Sequence, residues 1–85
     1  MFHYVYVLEN KVGKLYIGYT DNLKRRLLEH NQGRNNSTKS GKPWHIIYCE
    51  ACLDINDAQR RENYLKTSQG SRLLKRRLRD YLFKP

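Results

Sequence analysis

Tyr4, Tyr6 and Tyr16 stand in two short runs of β-branched and aromatic residues, "FHYVYVL" at 2–8 and "KLYIG" at 14–18. Strand alternation places Tyr4 and Tyr6 on one side and Val5 and Val7 on the other, with Tyr16 opposing Leu15 and Ile17 in the same way. Arg26 and His30, four residues apart, fall on one flank of a helical stripe made by Leu23 and Leu27. Glu62 sits in the middle of a second helical face, that of Ile55, Ala58 and Leu65. A carboxylate buried there needs a cation beside it, either an Arg or a divalent metal. These groups suit phosphodiester cleavage. A hard oxygen ligand can hold Mg²⁺ or Mn²⁺ against a phosphate oxygen, and an Arg can neutralise charge building on the phosphate. A tyrosine can take a proton from water if a nearby cation lowers its pKa from about 10, with His30 as relay. The same residues also suit a binding module, in which the tyrosines are plain sheet aromatics and Arg26 contacts phosphate.

The elements that must position these residues can be read from pattern. "NKVG" at 10–13 is a turn of hairpin length between the two strands, giving a sheet with one aliphatic and one phenolic face. Thr20 or Asp21 is placed to cap a helix running to about Asn31. In that helix Arg26 leans over the sheet, while Arg25 and Glu29 point to solvent. Residues 31–43 form a long polar loop that carries cations and no acid, and long loops are usually functional or mobile. "WHIIYCEAC" reads as a third strand. Asp54 or Asn56 opens a helix to about Thr67, ended by Gly70. Ser71 starts a last helix whose stripe is Leu74, Leu78, Tyr81 and Leu82.

Composition narrows the partners. Lys and Arg outnumber Asp and Glu by 17 to 8 among 85 residues, a net charge of +9. Such an excess draws polyanions to the surface, nucleic acid foremost. The length suits one domain spanning 1–85. No window reaches the roughly eighteen apolar residues of a membrane span, and the opening residues do not read as a signal peptide, so a cytoplasmic setting without membrane contact is expected. Cys49 and Cys52 lack the further ligands a zinc site requires. They read as reduced, partly buried structural thiols pointing to opposite faces.

"YVY" at 4–6, "YIG" at 16–18 and "TDNLKRRLLEH" at 20–30 resemble the signature of the GIY-YIG endonuclease superfamily, and "AQRRENYLK" around Glu62 is similar to that family's acidic helix. The resemblance runs from residue 2 to about 80, and the compact form looks most like small standalone bacterial members, the excinuclease-like or UPF0213-type proteins. It implies an α+β fold, a small three-stranded antiparallel sheet flanked by helices in the order β-β-α-β-α-α. It implies Tyr6 as general base or water-positioner, Tyr16 as its partner near the scissile phosphate, Arg26 on that phosphate, His30 beside them, and Glu62 on a single Mg²⁺ or Mn²⁺. Three departures stand out. Tyr4 replaces the first glycine of the family name, Val5 replaces an isoleucine, and the family's polar residue after the acidic helix has no clear counterpart near Gln69.

The reading is therefore a metal-dependent endonuclease, structure-selective or weakly selective, acting on DNA ahead of RNA with little base specificity. Arg34, Lys39, Lys42, Lys66, Arg72 and Arg76 would hold the backbone, and a protein partner could supply targeting. The alternative is a nucleic-acid-binding module that cleaves little without a partner. A protein-interaction domain meeting an acidic partner stands third.

Overall fold

A computed structural model describes residues 1–84. Three antiparallel strands, β1 (His3–Asn10), β2 (Leu15–Thr20) and β3 (Trp44–Cys52), form one sheet in the order β2-β1-β3. Helix α1 (Leu23–Asn31) follows the hairpin, and α2 (Ile55–Leu65), α3 (Ser68–Arg77) and the short α4 (Arg79–Leu82) follow β3. The α+β class and the three-stranded antiparallel sheet are as the sequence leads one to expect. The terminal helix is the exception, because it breaks at Leu78 into α3 and α4.

β1 is central, and Val5 to Leu8 are buried on both faces. Its partners set the site: Tyr6 stands opposite Gly18 on β2 and Cys49 on β3. The aliphatic face packs Val5, Val7, Leu15 and Ile17 against Ala58, Leu65 and Leu74 of the C-terminal helices. The opposite face is not merely phenolic. Tyr6 and Tyr16 share it with Leu8, Trp44 and Ile46, and Leu23 and Leu27 of α1 cover it. A register shift between Val7 and Leu8 inserts one residue into β3, so Ile47 and Tyr48 both join the aliphatic cluster while Ile46 faces α1. Such a bulge kinks the strand and re-aims its side chains.

Several local expectations are corrected by hydrogen bonding. Asn22, not Thr20 or Asp21, caps α1, its side chain accepting from Arg25 N. Thr20 is buried and its hydroxyl accepts from Asn22 N instead, turning the chain into the helix. Asp54 caps α2 by accepting from Asn56 N at 2.8 Å. α2 then stops at Leu65, because Thr67 accepts from Gly70 N and donates to Tyr64 O, so it begins α3. Gly70 lies inside that helix rather than ending the previous one. A Cβ there would stand 1.9 Å from Tyr64 O, so glycine serves close packing, not a left-handed cap. Ile55 is 40% exposed, leaving Ala58 and Leu65 as the buried stripe of α2. Arg61 grips Glu50 of β3 through Nε and Nη2 at 2.9 and 3.0 Å, tying α2 to the sheet edge. Tyr81 is not a core residue, and its hydroxyl donates to Glu9 at 2.5 Å. Cys49 is exposed, and Cys52 is half-buried against the aliphatic cluster.

Candidate active site

Tyr6 projects from the central strand across β2. Its hydroxyl lies over Gly18, where any Cβ would approach it to 2.4 Å, so the glycine of "YIG" is space for a phenol. The ring is 1% exposed, and the hydroxyl sits 2.7 Å from His30 Nε2. Burial pushes the phenol pKa up to about 12, although the Arg26 guanidinium nearby pulls the other way. The tyrosine is thus a weaker acid here than in water.

His30 is fully buried on α1. Its Nδ1 lies 2.8 Å from Thr38 Oγ1, and the Tyr16 ring meets it edge-on with centroids 5.0 Å apart. Burial first, and the Arg26 charge second, hold its pKa below the usual histidine value, so the ring is neutral at pH 7. Thr38 is a member of this constellation that sequence reading missed. It lies in the loop after α1, just before a 3₁₀ turn over Lys39–Gly41, and is completely buried. The Trp44 indole N–H donates to its carbonyl at 2.8 Å. Asn31 closes the same loop by bonding both the N–H and the carbonyl of Trp44. The only sequence signal was indirect: a buried indole must find an acceptor, and the loop before it is the nearest source.

Arg26 stands beside the Tyr6 hydroxyl, as its place on the helix face required, and Arg25 does not. Arg25 turns outward to Asp21 at 2.9 Å. Glu29 departs from expectation: it is half-buried and accepts from Arg26 Nη1 at 2.9 Å, one helical turn away. That bond raises the guanidinium pKa and fixes the side chain from its outer side.

Glu62 is 19% exposed at its side chain, and its partner is Lys66 at 3.0 Å on the next turn of α2, not an arginine. Its charge reaches Tyr6, where it opposes ionisation of the phenol. Among the described residues no group of three or more His, Cys, Asp or Glu side chains is gathered to hold a metal. Glu62 alone fits only a hard cation that completes its shell with water and substrate phosphate, which is the habit of Mg²⁺. Tyr16 borders a groove of about 330 Å³ along β2, whose wall includes Lys66, Ser71 and Lys75.

Tyr6, Tyr16, Arg26 and His30 therefore meet on the α1 side of the sheet, with Glu62 within electrostatic reach. Arg34, Lys39, Lys42, Lys66, Arg72 and Arg76 are all exposed. Lys66 alone of the six makes an ion pair among the described residues. The other five present uncommitted charge: three on the loop that carries Thr38 and two on α3.

A profile described as "GIY-YIG catalytic domain" matches residues 2–77. A UPF0213 protein of Staphylococcus haemolyticus is 38% identical over 74 residues, 86% of this chain and 90% of that one. A UPF0213 protein of Streptococcus agalactiae is 42% identical over 64 residues, 74% of this chain and 73% of its own length. The solution NMR structure of a UPF0213 protein from Bacillus halodurans superposes with a TM-score of 0.54 at 32% identity, covering 87% of this chain and 82% of that one.

Proposed function

The chain belongs to the GIY-YIG catalytic domain family and to its UPF0213 members, and on that premise we propose that it is a metal-dependent endonuclease hydrolysing phosphodiester bonds in DNA ahead of RNA. The observation that carries the reading is the buried Tyr6 hydroxyl, hydrogen-bonded to His30 Nε2 and lying within the field of the Arg26 guanidinium. Tyr6 positions the attacking water and receives its proton as its own passes to His30. Both groups are neutral beforehand, so the relay starts from a state that needs no buried charge. Arg26 is a cation whose charge acts on the phenol. It stabilises the negative charge that builds on the phosphate. Tyr16 walls the site from the edge strand. Glu62 is the carboxylate that would hold a single Mg²⁺ or Mn²⁺, exchanging its bond to Lys66 for the ion. A bound divalent ion supplies positive charge to the phosphate oxygens as the bond breaks. Lys66, once released, joins Arg34, Lys39, Lys42, Arg72 and Arg76 along the nucleic-acid backbone.

The second reading, a binding module that cuts little alone, draws on two observations. Glu62 is committed to Lys66, and burial makes Tyr6 hard to ionise. A panel of labelled duplex, single-stranded, flap and four-way-junction DNA, with RNA alongside, separates the two. Wild type is expected to cut at least one substrate when Mn²⁺ or Mg²⁺ is present, and Glu62→Gln and Arg26→Ala proteins of wild-type fold are expected not to. Binding without cutting under every metal would favour the module and a partner that completes it.

A further inference from the structure

His30 has two ring nitrogens and, when neutral, one proton; which nitrogen carries it decides whether Tyr6 can pass a proton on. The donors around the ring settle the question. Arg26 has only donors to offer, and its positive charge acts on the Tyr6 hydroxyl, so the phenol turns its lone pairs towards the guanidinium and its proton away. The hydroxyl proton of Tyr6 must then find an acceptor, and His30 Nε2 at 2.7 Å is the one within hydrogen-bond distance. Nε2 is therefore bare, so the proton sits on Nδ1. Nδ1–H faces Thr38 Oγ1 at 2.8 Å, and the threonine hydroxyl can donate onward to Asn35 O at 3.4 Å. Each ring nitrogen thus has one partner of the opposite kind, Nε2 the Tyr6 hydroxyl and Nδ1 the Thr38 hydroxyl.

Thr38 is held in place by bonds that do not involve the histidine. Its carbonyl takes the Trp44 indole N–H and the Gly41 N–H, and its own N–H donates to Asn35 O at 3.2 Å. It is a fixed acceptor to which the ring must conform. We propose that Thr38 is a positioning residue that holds His30 in the Nδ1–H tautomer, leaving Nε2 to accept the proton of Tyr6. Its catalytic consequence rests on the proton path proposed above; the tautomer itself does not.

The test uses the full chain labelled with ¹⁵N, comparing wild type with Thr38→Ser and Thr38→Val. Long-range ¹H–¹⁵N spectra report the two His30 nitrogens separately, and cleavage of the preferred substrate is followed in parallel. Wild type and Thr38→Ser should show a protonated Nδ1 and a bare Nε2. Thr38→Val keeps the shape but offers no acceptor, so the Nε2–H form should gain population and the cleavage rate should fall roughly tenfold, as for loss of one buried bond. Thr38→Ser should recover most of the rate. A wild-type ring protonated at Nε2 would overturn the proposal from its spectrum alone, even if the valine protein fails to fold. So would a valine protein that keeps the wild-type tautomer, or one that changes tautomer without losing rate. If wild type cuts no substrate, the nuclease reading and the catalytic half of this proposal fall together, while the spectrum still shows where the ring proton lies.

Discussion

A phenol and an imidazole buried against each other each resist their charged form, and the resistance carries a pH signature. His30 has its pKa depressed by burial, so below about 6.5, the unfolded value, the unfolded chain binds a proton that the native ring refuses. Stability should fall as pH drops below that value and level off under the native pKa. Tyr6 is raised to about 12, so its contribution is complete below about pH 10 and is lost as pH climbs towards the native value. Urea titrations from pH 5 to 11 check both arms. The acidic arm should flatten in His30→Gln and the alkaline arm should shrink in Tyr6→Phe; unchanged slopes would remove these residues as the cause. Tyr6→Phe should also keep the fold and lose at least about 100-fold in cleavage, the scale of a positioned acid–base group. Most of the site is legible in the sequence at this scale. Periodicity separates Arg26 from its neighbour Arg25 and singles out Glu62, because helix geometry fixes facing before any tertiary contact exists. Thr38 is not legible, since a loop residue has no period and its burial depends on Trp44, six residues later. The partners of Glu29 and Glu62 escape a sequence reading because a helix face tells where a side chain points, not which long cation reaches it.

Alternation, β-branching and the turn at 10–13 are enough to place all three strands, and Asp54 is one of the two caps that the pattern allows for α2. Glycines are harder to read, because one residue type serves several ends. Gly70 reads as a helix stop in the sequence, yet its missing side chain is what lets α2 and α3 touch at Tyr64 and Leu65. Gly70→Ala should therefore destabilise the protein by about 3 kcal/mol, the upper range for overpacking, although alanine is the better helix former. Gly18→Ala makes a different prediction. The atom it crowds is the Tyr6 hydroxyl itself, so the phenol must swing away from His30, and activity should fall more steeply than stability. Chemical denaturation beside cleavage assays on both variants measures the contrast. If Gly18→Ala leaves the rate intact, the Tyr6 hydroxyl does not need its observed position. The break at Leu78 and the bulge at Ile47 have no sequence signal of their own, as both depend on how the helices and the sheet meet.

Across the whole molecule, an excess of nine positive charges is spread over a flat body of 37 × 30 × 18 Å. If the unpaired cations of the loop and of α3 both hold phosphates, as proposed, affinity should fall linearly on a log–log plot against salt. Each phosphate contact contributes about 0.9 to that slope on duplex DNA and about 0.7 on single strands. Paired replacements make this a map of the bound path. Lys39→Ala with Lys42→Ala should lower the slope by about 1.8 on duplex, and Arg72→Ala with Arg76→Ala by the same amount, if each segment touches the backbone at both cations. None of these four pairs with a carboxylate among the described residues, so removing them breaks no native ion pair and should leave melting temperatures nearly unchanged. Fluorescence anisotropy in metal-free buffer, at four or more salt concentrations, gives the slopes without cleavage intervening. A loop pair that lowers the slope beside an α3 pair that does not would place the nucleic acid on the α1 side of the sheet, directly over Tyr6. The reverse result would carry the strand past Tyr16 along the groove between β2 and α3, and would make Lys66 and Lys75 the next residues to replace. A slope untouched by either pair would mean that the net charge draws nucleic acid without these cations holding it, and the backbone assignments would fall together.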